Sequence, residues 1–320
     1  MADKFINELD PASGISLADL LAIEQGVGGT PETLYLTITT FLDKMSQGRY
    51  VITPSVASGN LTVAIKDMSG NNAASDNVIS FRVGNTLYNL AAAASVVKNA
   101  ATNWCNLGSA ELNGLSHDLF MYAIGETGAS AGLKFGFSRI PYALTMADFV
   151  NTTTSEKYIA GNWTNYTATD AVNNIGRFRA SLSSGAGYTW SIPTPVVVNA
   201  PIHASDWLTW QPAFSADAGT YNTVTTNWAR YSIDQKAVRA IVKATGTTSS
   251  TPIILRCTLP FEAAVAAGAA GFVFDSALFG GLIQIAAGSP DTLEFSKYNA
   301  AAFAAGATKV IDGEVFYIIE

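Results

Sequence analysis

The chain has 320 residues, of which 48 % are hydrophobic and only 13 % are charged, and its formal net charge is −7 at pH 7. This length can hold two domains with sizeable cores, while the charged fraction is about half of what soluble proteins usually carry. The chain has no run of basic residues, so binding to nucleic acid through its phosphates is not expected. A polar but weakly charged surface suits long-lived contacts with like chains and with neutral sugars.

Cysteine usage and hydropathy exclude further classes. Cys105 and Cys257 lie far apart and form no metal-binding or redox motif, and free thiols are typical of a protein made in a reducing cytosol. The N-terminus lacks the apolar segment of a signal peptide, and the most hydrophobic run, residues 263–274, is too short to cross a bilayer. We therefore expect no membrane insertion.

Residues 1–48 form the first predicted unit. Its first half reads either as a helix opened by Ser16 and Asp19 or as an alternating strand. After a Gly/Thr/Pro linker, residues 33–38 predict a strand and residues 40–45 a short helix. A unit this small, with few large apolar groups, should become ordered only against copies of itself or a partner protein. The alternative is an edge hairpin of the next domain.

Residues 49–200 form the second predicted unit. Many short strands separated by Gly, Asn and Ser turns are typical of a β-sandwich or jelly roll. The Ala-rich segment from Ala91 to Ala100 is the one candidate for a helix. The strand candidates are residues 60–66, 78–83, 119–124, 133–138 and 175–180.

Residues 201–320 form the third predicted unit, and an extended, Pro-rich linker over residues 192–205 leads into it. Residues 238–244 alternate between two faces, and residues 253–258 return after a Thr/Ser-rich turn, so this pair predicts a hairpin. Residues 310–319 are strongly β-prone and must be covered within a sheet or by a neighbouring subunit.

No recognisable motif groups side chains for catalysis. The two histidines, His117 and His203, show no metal-binding spacing, and no Gly-rich nucleotide motif is present. Hence we expect no metal and no cofactor. A glycosidase needs two carboxylates across the scissile bond, and the sequence does not show which acidic residues meet. The acidic residues weighed for this role are better explained as turn or cap residues: Asp206, Asp217, Glu262, Asp275 and Asp291. We therefore predict that the protein is not an enzyme.

Aromatic and amide side chains in polar segments are the candidate binding residues. Sugars are held by aromatic rings against their apolar faces and by polar groups at their hydroxyls, and loops on a rigid sheet are the usual place for such contacts. The candidate glycan contacts are Asn162, Trp163, Asn165, Tyr166, Tyr221 and Trp228. The alternative for each ring is packing in the core or in a subunit interface, which is what we expect for Trp190, Trp207 and Trp210.

Several short sequence segments resemble parts of bacteriophage fibres. The Trp-x-Pro, Ala-Arg-Tyr and Leu-Pro-Phe elements within residues 210–261 resemble small β-jelly-roll modules at the outer ends of phage tail and head fibres. Residues 137–142, 175–182 and 188–193 resemble a module of phage and prophage tail fibres. Residues 1–48 resemble the segments by which many phage fibres attach to the virion.

This resemblance implies an all-β protein with tandem β-sandwich or jelly-roll domains over residues 49–200 and 201–320, behind an attachment segment over residues 1–48. It implies a homotrimeric virion protein, made in the bacterial host cytoplasm and attached through its first segment to a base protein (baseplate, tail or portal-proximal). A tail fibre or receptor-binding protein of this kind would bind a host surface glycan. The alternatives are a head fibre, decoration or collar component without a receptor role and, less favoured, a polysaccharide depolymerase.

Overall fold

The computed structural model describes residues 20–25, 32–37, 50–99, 114–127, 131–150, 152, 155–163, 165–183, 189–264, 268–275 and 278–319. These residues form 22 strands and one short 3₁₀ turn, and they contain no α-helix. The predicted all-β class is confirmed. The tandem jelly-roll arrangement and the trimer stay predictions.

The first two strands form a hairpin. β1 (Leu20–Gln25) pairs antiparallel with β2 (Glu32–Thr37), so the first of the two interpretations, a helix, is wrong for residues 20–25. The short helix predicted over residues 40–45 lies outside the described residues.

Three sheets follow in the middle of the chain. Their elements are β3 (Val51–Ala57), β4 (Asn60–Lys66), β5 (Ile79–Val83), β6 (Thr86–Leu90), β7 (Ala94–Lys98), β8 (Ser116–Glu126), β9 (Gly132–Ser138), the 3₁₀ turn (Met146–Asp148), β10 (Ile159–Gly161), β11 (Val172–Leu182), β12 (Trp190–Ser191) and β13 (Val197–Val198). The strand order is β3-β4-β7 in one sheet and β10-β9-β8-β11-β12 in another, where β13 also pairs with β11. β5 and β6 form a separate hairpin.

The helix proposed from Ala91 to Ala100 is wrong. Residues 94–98 form β7, which pairs with β4 and buries Val96 and Lys98 on one side. Alanine favours a helix, but the β-branched pair Val96 and Val97 suits a strand with a partner, and pairing with β4 decides the outcome.

The last part of the chain forms one nine-stranded antiparallel sheet. Its strands are β14 (Leu208–Thr209), β15 (Phe214–Ala216), β16 (Tyr221–Asp234), β17 (Ala237–Thr248), β18 (Ile254–Thr258), β19 (Gly268–Asp275), β20 (Leu278–Ala286), β21 (Ser289–Lys297) and β22 (Thr308–Ile318). The order is β14-β16-β17-β22-β19-β20-β21-β18-β15. The ring of Phe214 on the last strand meets that of Tyr221 on β16 edge-on at 6.0 Å, so the sheet is rolled around its inner side.

The two strands predicted as a hairpin, β17 and β18, do not pair with each other. β17 lies between β16 and β22, whereas β18 lies between β21 and β15. The Thr/Ser-rich segment between them is held by residues 218–220. Ser249 N–H donates to the Thr220 carbonyl, and the Ser250 hydroxyl donates to the Ala218 carbonyl. β22 is paired on both sides, with β17 and β19.

The six-stranded sheet is buried on both sides. Leu119, Met121 and Ala123 of β8 belong to a cluster with the sheet β3-β4-β7 and the β5–β6 hairpin. The alternate residues Phe120, Tyr122 and Ile124 belong to a second cluster, which contains the inner side of the nine-stranded sheet. One core therefore extends across the predicted limit between residues 200 and 201. The limits of the three predicted domains stay predictions.

Candidate functional site: an aromatic loop beside the six-stranded sheet

The loop after β10 contains four of the six candidate glycan contacts. It leads from Gly161 at the edge of the six-stranded sheet towards β11. We call residues 161–170, of which residue 164 is not described, the aromatic loop, because Trp163 and Tyr166 are its two rings. Both rings are half-buried and pack against the core.

A pair of glycines supports the first ring. Gly136 on β9 lies opposite Gly161 on β10, and the Trp163 ring lies against the backbone of both. A Cβ atom at Gly161 would be 1.6 Å from Cζ3 of Trp163, and one at Gly136 would be 2.8 Å from the same atom. Only glycine at these two positions leaves room for the ring in this place.

The second ring meets the first edge-on. The Tyr166 and Trp163 ring centroids are 5.6 Å apart with an interplanar angle of 81°, an arrangement that aromatic quadrupoles favour. Each ring keeps part of its surface exposed. The structure thus presents an L-shaped aromatic surface at the edge of a rigid sheet.

Hydrogen bonds fix the first part of the aromatic loop. The Asn162 side-chain oxygen accepts the Phe135 N–H at 2.8 Å, and its amide nitrogen donates to the Ser95 carbonyl at 3.3 Å. Asn165 N–H donates to Oε1 of Glu126 at 2.6 Å. Each end of the exposed Asn162 amide thus makes one hydrogen bond within the protein, so this residue helps to position the loop.

Asp170 fixes the second part of the aromatic loop. Its carboxylate accepts Thr167 N–H at 2.8 Å, the Thr167 hydroxyl at 2.9 Å and Thr127 N–H at 3.1 Å. Burial acts to raise the pKa of Asp170, but the hydrogen bonds from Thr127 and Thr167 outweigh it and the pKa is lowered. Asp170 was not among the candidates, although the Thr-x-x-Asp spacing is a known local signal.

Tyr221 does not belong to a surface site. It lies on the inner side of β16, where its ring is buried and its hydroxyl donates to the Lys309 carbonyl at 3.4 Å. Burial raises the pKa of Tyr221. The prediction that Tyr221 flanks a binding loop is therefore wrong, because strand β16 starts at this residue and turns its ring towards the core.

Trp228 lies on the outward side of the nine-stranded sheet. This side carries what we call the apolar face: Trp207, Trp228, Phe272, Leu282, Phe316 and Ile318. A shallow groove of about 300 Å³ lies there between Trp228 and Phe272, with Asp312 in its lining. Trp207, which we expected to be packed, is exposed on this face; Trp190 and Trp210 are buried.

The acidic residues weighed for catalysis have structural partners or line a cavity. Asp206 pairs with Arg179 at 2.9 Å, Asp217 accepts the N–H groups of residues 253 and 254, and Asp275 pairs with Lys297. Glu262 and Asp291 line a cavity of about 750 Å³ between the middle and last parts of the chain. A third carboxylate there, on Glu156, accepts the Glu262 N–H at 2.6 Å and so fixes the cavity wall.

The part of the chain that the structure describes contains no group of three or more His, Cys, Asp or Glu side chains placed to hold a metal ion. No helix in this part of the chain is long and apolar enough to span a membrane.

Comparison with known proteins gave no match. No family model fits the sequence, and neither a curated protein nor a solved structure is significantly similar to the chain.

Proposed function

We propose that the protein is a structural component of a bacteriophage virion, a tail fibre or receptor-binding protein that attaches the particle to a glycan of the host cell surface. The observation that carries the proposal is the aromatic loop: two half-exposed rings, of which Trp163 lies on a glycine pair, in a loop held by hydrogen bonds. Such a surface is preorganised, so a sugar that stacks on it does not have to order the loop first. Aromatic rings are the groups that bind the apolar faces of sugars.

The mechanism is adhesion by several weak sites. A single pair of rings with few free polar partners binds a sugar weakly. Three copies at one tip, and several fibres on one particle, convert the later binding events into intramolecular ones and raise the avidity by orders of magnitude. The homotrimer with tandem jelly-roll domains, and attachment to a base protein through residues 1–48, belong to this proposal.

Competition for adsorption tests the proposal. Purified protein is added to host cells before the virions that carry this chain, and we expect it to reduce adsorption. The Trp163→Ala variant should lose this effect, while Trp163→Phe, which keeps a ring, should retain part of it. Leu144→Ala removes an exposed apolar side chain outside the aromatic loop and serves as the control.

The outcome separates the alternatives. A protein that is present on the virion but never competes for adsorption would be a head fibre, decoration or collar component. Release of reducing ends from the host glycan, lost on a single carboxylate change, would identify a depolymerase instead. A melting temperature measured for each variant shows that a loss of competition does not come from unfolding.

A further inference from the structure

The apolar face is the largest group of exposed apolar side chains that the described residues place on one sheet. Its six members expose between 39 and 59 % of their surface. Two of them lie in one row across the sheet: Trp228 lies opposite Lys243, which lies opposite Asp312, which in turn lies opposite Phe272. Met68 and Leu144, in the middle of the chain, are large exposed apolar residues outside this sheet.

The size of the apolar face approaches that of a protein interface. It extends over five neighbouring strands, from β16 to β20, which corresponds to about 19 Å at ~4.8 Å per strand. If each large side chain can bury about 200 Å² and half is already covered, the six offer roughly 600 Å². A standard interface buries about 800 Å² per partner, and the largest apolar patch of a typical monomer is about 300–600 Å² and often functional.

The charges on the apolar face are neutralised within the chain. Lys243 Nζ is 3.0 Å from Oδ2 of Asp312 and 4.8 Å from the centroid of the Trp228 ring. Arg239 forms an ion pair with Glu314, and its guanidinium lies 5.3 Å from the Trp207 ring centroid and 5.4 Å from that of Phe316. A partner therefore does not have to supply counter-charges for these two cations.

We propose that the apolar face is the contact surface between subunits, and that a second copy of this chain covers it. A copy brings the same paired charges, so the contact does not bring uncompensated like charges together at Arg239 and Lys243. A glycan fits less well, because the aliphatic side chains of Leu282 and Ile318 offer nothing to sugar hydroxyls. This proposal rests on the proposed function in one respect: the number of copies, three, is taken from it.

Sedimentation of the purified 320-residue protein is the first test. We expect a mass close to three times the chain mass of 33.6 kDa. The double variant Leu282→Lys/Phe316→Lys places two unpaired charges in the contact and should raise the dissociation constant by at least about 100-fold. Met68→Lys and Leu144→Lys, at exposed apolar positions outside the apolar face, should leave the mass unchanged.

Hydroxyl-radical labelling is the second readout. Sedimentation reports association through any surface, residues 1–49 included, whereas labelling reports whether the apolar face itself is covered. Trp228 should be protected in the wild-type protein and labelled several-fold faster in the double variant, whatever its mass. A wild-type protein that sediments at 33.6 kDa, or equal labelling of Trp228 in both proteins, would overturn the proposal. So would a polysaccharide that binds at Trp228 in the assembled protein. Failure of adsorption competition alone would count against the proposed function and leave these results untouched.

Discussion

Asp275 lies between two buried lysines and shows how single residues stabilise this fold. Its Oδ2 is 2.6 Å from Nζ of Lys297, and its Oδ1 is 2.9 Å from Nζ of Lys309, whose side chain is fully buried. Burial acts to raise the pKa of Asp275, but contacts with the two ammonium groups outweigh it, and the pKa is lowered. One carboxylate thus neutralises charge at the ends of β19, β21 and β22.

Removing this carboxylate should destabilise the protein strongly. Asp275→Ala removes the carboxylate that contacts both buried ammonium groups, and removing one partner of a buried ion pair costs about 3–5 kcal/mol. Denaturant unfolding measures the loss. Asp291→Ala, at an exposed position, is the matched control and should change the free energy of unfolding by less than about 0.5 kcal/mol. Equal stabilities of the two variants would contradict a stabilising role for the Asp275 carboxylate.

Acid should weaken the fold through the same kind of carboxylate. The pKa values of Asp170 and Asp275 are lowered in the folded protein, so each contributes stability above the pKa of an unfolded Asp, about 3.9, which is lost as the pH falls through the folded value. We expect a melting temperature that is steady near neutral pH and decreases below about pH 4. Asp170→Asn should lower the melting temperature at neutral pH and reduce this acid dependence; an unchanged dependence would contradict the assignment.

At the scale of elements, alternation in the sequence identified the strands but not their partners. Residues 60–66 form β4, and residues 119–124 and 238–244 lie within β8 and β17. β17 pairs instead with β16, which directly precedes it in the sequence, and with β22, which lies far along the chain, so the pattern of β17 and β18 alone does not contain this information. The buried position of the Tyr221 ring does not follow from a local pattern either, because it depends on which side of the rolled sheet is covered.

The glycine pair under Trp163 is another feature that depends on pairing. The sequence predicted that Trp163 and Tyr166 lie in one loop, but it did not show that Gly136 and Gly161 lie opposite each other. The order of the aromatic loop arises from this register and from Asp170.

Alanine at Gly161 should displace the Trp163 ring. The added Cβ would be 1.6 Å from the ring, so the ring has to leave the glycine pair and become more exposed. We expect faster quenching of tryptophan fluorescence by acrylamide and weaker binding to cells. Gly280→Ala is the control, because a Cβ there would approach only Tyr298, at 3.8 Å. Identical quenching for both variants would contradict the packing described here.

For the whole molecule, the core joins the middle and last parts of the chain. Beyond the shared cluster of buried side chains, Arg139 Nη2 donates to the Tyr231 hydroxyl at 3.1 Å, and Lys236 pairs with Asp148 at 3.0 Å. The Pro-rich segment over residues 192–205 contributes β13, which pairs with β11, instead of only linking two units.

This shared core predicts one unfolding transition for residues 50–319. Calorimetry of the 320-residue protein should show a single cooperative peak, and Arg139→Met, which removes a buried link and its contact with the Phe261 ring, should shift the whole peak to lower temperature. Two separate peaks, with only one of them shifted by the variant, would mean that the parts fold independently.

Binding of the purified 320-residue protein to an array of bacterial surface polysaccharides tests the central claim most directly. We predict binding to at least one polysaccharide, lost in Trp163→Ala at unchanged oligomeric mass and melting temperature. Binding to none of them, or binding that does not depend on Trp163 and Tyr166, would contradict the account.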